Sequence, residues 1–594
     1  MKPLLAFDGD CGFCRRWINL WQRITKDAIE YAPYQQVSGL FPQIPVEKFE
    51  KSVVLIEGEK VSTGAEAVFR SLSYNPQKRW MLFFYEKLPG MKPLTEWFYN
   101  LVARNRVFFS KVTWLLWGSF EPSTYFFSSK IFLKLMGFVY LVAFASLAVQ
   151  VKGLLGSNGV LPASHFLALI LKRFGMKAYK FLPTIFWFNA SDFFLQFVCW
   201  AGAFLSVLVM AEVFPALLLF FLWLFYLSLS LVGQEFLAFQ WDSLLLEAGF
   251  LAIFLAPLKI KPKSFRSMEP SAVIIGLFNW LLFRLIFSSG MVKLISGDVT
   301  WRNLTALTFH YETQPLPVWT SWYMQQLPVW FQKGSTLFVF IIELVFPFLI
   351  FAPRRLRIMA CAGIAALQFL IMATGNYCFF NLLALALCLL LLDDSFWRKE
   401  APKKISSRKW PRFITWPLAA VILFVSTGQV IQLFGKTFEP AYIAETIIEP
   451  FRTVNHYGLF AVMTTSRPEI ILEGSDDGQT WKVYEFPYKP GDLKKRPAFV
   501  QPYQPRLDWQ MWFAALGDYK SNPWFMNLCA RLLQGSPEVL ALFKKNPFPD
   551  HPPKYLRGAV YDYHFTNFEE RKKTREWWRA ERKDLYSPTV SLKA

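Results

Sequence analysis

The sequence predicts a multispan α-helical membrane protein with an α/β domain at its amino end and a β-rich extracytoplasmic domain at its carboxyl end. Three observations carry that reading. Apolar runs begin near Ile131 and recur to about Phe434, each approaching the ~20 residues that cross a bilayer core as a helix. Charged residues make up 18% of the 594 residues, a low share for a soluble protein. Short strand-like segments bounded by turn residues cluster before residue 110 and after residue 436. The expected boundaries are therefore 1–110, 111–435 and 436–594.

In the first domain, Leu4 to Phe7 reads as a buried strand. Phe13, Trp17, Leu20, Trp21 and Ile24 follow at near-helical spacing. "IEYAPY" (Ile29 to Tyr34) reads as a second strand. "SVVLIEGEKVSTG" reads as a hairpin turning at Glu57 and Gly58, and "AEAVFRSL" (Ala65 to Leu72) starts another helix. This order is that of a thioredoxin-like sandwich, with Cys11 at the strand-to-helix turn and Cys14 in the first helical turn. A helix amino terminus offers unpaired N–H groups and a positive dipole end to an attacking thiolate. Arg15 and Arg16 act in the same sense, and Asp8 and Asp10 oppose it. The other reading of the Cys-x-x-Cys is half of a zinc site. The second half is missing, because no other close cysteine pair exists and the first histidine is His165.

"FDGDCGFC" resembles the signature of the DCC family of thiol-disulfide oxidoreductase-like proteins: an acid, a two-residue gap, then Cys-x-x-Cys. Asp8, Cys11 and Cys14 match it. The resemblance covers residues 1–110 and implies a thioredoxin-like fold with catalytic roles for those three residues. One departure stands out. Thioredoxins carry a proline before the strand that faces the dithiol, and here that strand begins "KSVVLI".

Nine spans are expected, at 131–149, 192–210, 213–232, 242–258, 271–295, 335–352, 356–373, 376–393 and 413–434. With the amino terminus inside, "KIKPKSFR" (from Lys259), "PRRLR" (from Pro353) and "RKEAPKKISSRKWPR" (from Arg398) all fall inside, as the positive-inside rule requires. The same rule accounts for a formal net charge of +21 without nucleic acid. Lys172, Arg173, Lys177 and Lys180 form an exception, explained by an amphipathic helix on the outer surface. Nine spans leave the last domain outside. The start, "MKPLLAFDGDCG", has too short an apolar run for a signal peptide. Glu235, Asp242, Glu247, Arg284, Lys293 and Glu343 fall in or beside spans, where charge is costly. Glu235 and Asp242 share a face if their helix is continuous. Arg284 pairs with Glu247 or Glu343. Structural ion pairs are favoured over a substrate path.

"SGDVTWRNLTALTFHYETQPLPVWTSWYMQQLP" (Ser296 to Pro328), "VNHYGLFAVMTTSRPEIILEGSDDGQTW" and "QPRLDWQMWFAALG" occur in that order. Together they resemble the lipase maturation factor family, over residues of about 125–585. "VKGLLGSNGVLP" is a shorter echo of the membrane domain of vitamin K-dependent gamma-carboxylase, and no carboxylase activity is inferred from it. Eukaryotic lipase maturation factors sit in the endoplasmic reticulum membrane and help secreted dimeric lipases fold. The resemblance therefore implies exported, lipase-like clients as partners. Membrane lipids are a further expected partner, and a bacterial inner membrane is the location expected for this chain. Client-binding candidates are Trp301, Arg302, His310, Tyr311, Trp319, Trp322 and Tyr323 in the long loop, and Trp509, Trp512 and Phe513 in the tail. The competing reading is that these rings pack the tail onto the membrane domain.

In the tail, Asp476, Asp477 and Gly478 mark a hairpin turn, and 509–549 turns helical. "EERKKTREWWRAERKD" reads as a charged helix or arm. The function expected is a maturation factor with an accessory redox module, the alternative being a membrane-anchored oxidoreductase acting through Cys11 and Cys14. Without a signal peptide the dithiol faces the cytoplasm, where thiols stay reduced and a thiol partner is expected. Cys361, Cys378 and Cys388 are not paired by helical spacing. The sequence has no Gly-x-Ser-x-Gly elbow, no nucleotide loop and no Cys/His metal cluster, and no cofactor is expected.

Overall fold

The computed structural model describes residues 2–118, 123–258, 270–397 and 410–592. It divides into a small unit, residues 1–123 with 353–356, and a large unit holding the remainder.

The small unit is built on a four-stranded sheet of order β2-β1-β3-β4. Strand β1 (Leu4–Phe7) pairs in parallel with β2 (Glu30–Pro33) and antiparallel with β3 (Val54–Glu57), which pairs antiparallel with β4 (Lys60–Thr63). A parallel pair needs a crossover, and α1 (Gly12–Thr25) supplies it. Leu5, Ile18, Leu55 and Ala67 form the core on the helix side, with Ala67 on α2 (Gly64–Ser73). Ile18 is the most buried apolar side chain of α1 and was not among the expected face residues. Three more helices follow: α3 (Arg79–Lys87), α4 (Met91–Arg104) and α5 (Arg106–Trp117).

In the large unit, seven helices among the described residues are long and apolar enough to cross a membrane. They are α6 (Phe126–Ala148), α7 (Asp192–Met210), α8 (Pro215–Val232), α10 (Ala272–Ile295), α11 (Val329–Leu344, running on to Leu349), α12 (Arg354–Thr374) and α14 (Arg412–Leu433). This corrects the expected nine. The fourth and eighth expected spans are α9 (Gln240–Leu255) and α13 (Phe380–Leu389), of 16 and 10 residues. At 1.5 Å per residue they reach about 24 and 15 Å, short of a ~30 Å hydrocarbon core. Close approach builds the bundle: a Cβ on Gly202 of α7 would meet the Phe144 ring of α6 at 2.5 Å. Asp394, just beyond α13, accepts from the amides of Phe126 and Phe127 at 2.9 and 2.8 Å and so caps α6 from 268 residues away. Of the three basic loops expected inside, Lys259–Arg266 and most of Arg398–Arg412 lie outside the described residues. Lys172 and Arg173 end a helix at Ala163–Phe174.

The tail carries a second sheet, of order β6-β5-β7-β8, all antiparallel. Its strands are β5 (Pro468–Ser475), β6 (Lys482–Val483), β7 (Tyr555–Phe565) and β8 (Trp578–Leu585). The β5–β6 turn is Asp477's work. Its carboxylate accepts from Ser475 Oγ and from the amides of Gln479 and Thr480 at 2.7–2.9 Å, which holds it well below the usual carboxylate range. Gly478 follows at φ +73°. Helices α15 (Arg506–Ala515) and α16 (Pro523–Leu533) fill the span between β6 and β7. The segment expected as a charged helix or arm is half strand: a short helix ends at Thr574, and Trp578 begins β8. Trp577 and Trp578 are core residues, which favours pairing with β7 over an extended arm.

Candidate functional site

The first candidate site is the dithiol. Cys11 is the N-cap of α1, and its Sγ accepts from the Cys14 amide at 3.4 Å. Both thiols are free and half-buried. Burial, followed by the hydrogen bond to Cys11, pushes the Cys14 thiol up to about 12. Asp8 is held rather than free. It accepts from Gln35 Nε2 and from the Asp10 amide, both at 3.1 Å, and from Arg106 Nη1 at 3.1 Å. Gly9 between them is required by space, since a Cβ there would meet Pro33 Cβ at 2.7 Å. Arg15 and Arg16 are exposed.

Beside the dithiol lies an apolar cavity of about 270 Å³. Cys14, Trp17, Val53, Phe98, Tyr99 and Arg106 are among its walls. Sequence reading missed Tyr99 and Arg106. Tyr99 Oη accepts from the Val53 amide at 2.9 Å, and Arg106 Nη2 donates to the carbonyls of Glu50 and Lys51 at 2.9 and 3.1 Å. Both lie 85 residues or more beyond Cys14, so no local motif could point to them.

The second candidate site is the set of ionisable residues in the large unit. Asp242, in the first turn of α9, meets Arg506 of the tail at 2.9 Å, and both side chains are fully buried. Arg506 also donates to the Phe236 carbonyl at 2.6 Å, and Tyr226 hydrogen-bonds Asp242. One turn further on, Glu247 pairs with Arg284 of α10 and accepts from the Asn455 amide and the Tyr457 hydroxyl at 2.9 and 2.8 Å. Lys293 of α10 meets Glu343 of α11 at 2.7 Å. Arg284 therefore takes Glu247 and not Glu343. The expected shared face of Glu235 and Asp242 does not form. Residues 234–237 make a separate 3₁₀ turn, Glu235 is exposed, and α9 starts only at Gln240.

The third set is the aromatic one, and most of it is core. Trp301, Tyr311, Trp322, Trp509 and Trp512 are buried. Trp301 Nε1 donates to the Phe460 carbonyl, and Trp512 Nε1 to the Thr313 carbonyl, each at 2.9 Å. Trp509 sits edge-on to Trp241 at 4.7 Å between ring centres. Trp322 packs with Tyr563, Phe565, Trp577 and Trp578 of the tail. These rings join loop to tail, so the reading of them as an exposed client surface is corrected. Ring type and helical spacing are the same in either case. Tyr323 and Phe513 do remain exposed, at 42% and 43%, as does Arg302, and Trp319 is half-buried. His310 bonds Tyr377 Oη at 3.3 Å, and burial, with Lys293 nearby, pushes its imidazole down to about 4.

These features define a class: a multispan membrane protein whose carboxyl-terminal domain is locked onto its bundle by a buried ion pair and buried hydrogen bonds, preceded by a separate dithiol domain. Three family models match the chain. They are the lipase maturation factor transmembrane domain at residues 127–399, the lipase maturation factor C-terminal domain at 453–588, and the DCC1-like thiol-disulfide oxidoreductase at 5–112. Lipase maturation factor 2 of Gallus gallus is 37% identical, over 78% of this chain and 81% of its own length. The Homo sapiens lipase maturation factor 2 is 35% identical, over 78% and 82%. Lipase maturation factor 1 of Mus musculus is 32% identical, over 80% and 88%. No solved structure matches the chain. The chain belongs to the lipase maturation factor family.

Two outcomes are expected from this geometry. Iodoacetamide at pH 7 should add one group per chain, at Cys11, because the remaining five cysteines are buried and burial raises the Cys14 thiol and disfavours its thiolate. Peptide mass spectrometry reads the adduct, and equal labelling of Cys11 and Cys14 at pH 7 contradicts the assignment. Arg506→Met should cost about 3–5 kcal/mol by stranding the Asp242 carboxylate. Adding Asp242→Leu should restore most of that, as thermal unfolding in detergent measures. A double variant no better than the single one would mean that the pair is not the coupling.

Proposed function

We propose that this protein is a membrane-embedded maturation factor for exported, lipase-like clients, and that its amino-terminal domain is an accessory thiol–disulfide module. The observation that carries the reading is that family likeness runs through both the bundle and the tail, which are one structural unit. A client face has to be built from rings that the fold leaves outside. Tyr323, Phe499 and Phe568 are exposed: Tyr323 and Phe499 each lie edge-on to Trp319 with ring centres 6.0 Å apart, and Phe568 lies 6.3 Å from Tyr323. Arg496 stacks on Trp319 at 4.6 Å. Large rings beside an arginine are the usual anchors of a protein-binding surface.

The small unit supports a thioredoxin-like reading through its sheet order and its N-capping cysteine. In exchange, Cys11 thiolate attacks a partner disulfide and expels one partner thiolate. Cys14 then loses its proton and attacks Cys11 Sγ, which releases the second partner thiolate and leaves Cys11–Cys14 oxidised. We assign Asp8, which lines the same cavity as Cys14, as acceptor of that proton. We place this domain in the cytoplasm and the tail on the opposite side of the membrane. Seven spans, an odd number, support that placement.

Two measurements test the reading. Replacing Tyr323 and Phe568 together with Ala should leave protein levels normal and lower crosslinked capture of a co-expressed secreted lipase by tenfold or more, since each hot-spot ring contributes ~2 kcal/mol. Trp512→Ala should instead lower the level of the protein itself, a buried ring costing ~3–5 kcal/mol. Undiminished capture by the double variant rules out this client face. Reporters fused at the two ends should be active on opposite sides of the membrane. Activity on one side would require an even span count and remove the proposed placement of the tail.

A further inference from the structure

Helices α3, α4 and α5 of the small unit carry their apolar stripes outward. On α4 the stripe is Leu94, Trp97, Phe98 and Leu101, at i, i+3, i+4 and i+7, and all four side chains are exposed, Trp97 at 62%. On α5 it includes Phe108, Trp114 and Leu115, and on α3 Trp80, Phe83 and Phe84. A helix of a water-soluble domain turns such a stripe to its core. Helix α1 of this same domain does so: Ile18 is buried and Arg15, Arg16 and Arg23 are exposed.

The outward orientation is fixed by polar anchors on the opposite faces. Glu96 of α4 accepts from the amides of Ala65 and Glu66, at the start of α2, at 3.2 and 2.9 Å. Tyr85 of α3 donates to the same carboxylate at 2.9 Å. Tyr99 holds α4 to Val53, and Arg106 holds α5 to Asp8, Glu50 and Lys51. Turning either helix to bury its rings would break these bonds and bury Glu96 against nothing.

Charge and tether identify what covers the face. Residues 76–118 contain seven Lys or Arg (78, 79, 87, 92, 104, 106 and 111) against two acids, Glu86 and Glu96. Lys87, Arg104 and Lys111 are exposed. Eight residues separate Trp117, the end of α5, from Phe126, the start of the first span. Eight residues extend to about 28 Å at most. Chain connectivity therefore limits how far the end of α5 can lie from the start of the first span. Exposed Trp and Phe with flanking Lys and Arg are the composition of an element lying in the interface of an anionic membrane.

We propose that α3–α5 form an interfacial platform that docks the dithiol domain on an anionic lipid surface. Docking would put Phe98 in the headgroup region, and Phe98 is also a wall of the cavity beside Cys14. The dithiol would thus work at the membrane surface rather than free in bulk solution.

The test uses the full-length protein in phosphatidylcholine vesicles made with and without phosphatidylglycerol, and a phospholipid carrying a photoactivatable diazirine high in its acyl chain. Peptide mass spectrometry after illumination should find adducts on 91–117 as well as on the spans, with Trp416 of α14, an exposed span residue, as the internal standard. Yield on 91–117 should be several-fold higher with phosphatidylglycerol. It should fall several-fold in Lys87→Glu/Arg104→Glu/Lys111→Glu while the Trp416 adduct is unchanged. Adducts on Trp416 with none on 91–117 of the wild type overturn the proposal without reliance on any variant. Yields on 91–117 that ignore both lipid charge and the triple substitution overturn the anionic-surface assignment.

Discussion

The large unit depends on a single electrostatic constraint: two carboxylates on α9, Asp242 and Glu247, are buried and have to be matched. An unpaired charge in such a site costs several kcal/mol, so each carboxylate recruits what satisfies it. The bundle supplies Arg284 and Tyr226. The rest comes from beyond the last span: Arg506 for Asp242, and Asn455 and Tyr457 for Glu247. Arg506 is itself tied in by its amide, which donates to Gln150 at 2.9 Å, and Gln150 in turn donates to the Gln504 carbonyl at 2.8 Å. The tail is therefore a structural part of the membrane domain. A second lock repeats the logic outside the spans. Arg467, fully buried, donates to the carbonyls of Glu312, Gln314 and Pro315 in the long loop and to Glu469 on β5.

How far the sequence could be read depends on the kind of signal. Period-2 and period-3.6 patterns are local, so β1 through α2 and the seven long helices were legible, the latter within a few residues of their ends. Hydropathy does not separate the two short helices from spans, because it counts apolar residues and does not register where a backbone leaves the α region, as Cys378 does with φ +55° just before α13. Partner choice was illegible for a related reason. Arg506 lies 264 residues from Asp242, and nothing near either names the other. The aromatic clusters show the same limit. Trp322 and Tyr323 are neighbours of like composition, yet the first is fully buried under the tail and the second exposed. Only the position of β7 and β8 decides between them.

The two units solve opposite problems with the same residue types. In the large unit, rings and arginines are drawn inward and close the joint between loop, tail and bundle. In the small unit, Glu96, Tyr99 and Arg106 spend the polar contacts on the inside and leave Trp97, Phe98 and Phe108 outside. The consequence for the dithiol is geometric. Cys14 opens on a cavity whose far walls, α4 and α5, also carry the outward rings. Phe98 belongs to both sets: it lines the cavity beside Cys14 and is exposed on the outer face.

The order of synthesis sharpens the constraint on α9. Its two carboxylates are synthesised long before residues 452–506 exist. During that interval Glu247 has at most Arg284, and Asp242 has Tyr226 and no cation among its observed partners. Asp242 lies in the first turn of α9 and is fully buried, and a buried carboxylate left without its cation costs several kcal/mol. The bundle therefore forms under a penalty that the tail removes when it docks. Docking is favoured by the release of that strain as well as by the buried rings Trp509 and Trp512, which arrive on the same helix as Arg506. One helix, α15, thus brings the cation and the apolar cover together. This is why a domain outside the spans becomes inseparable from them.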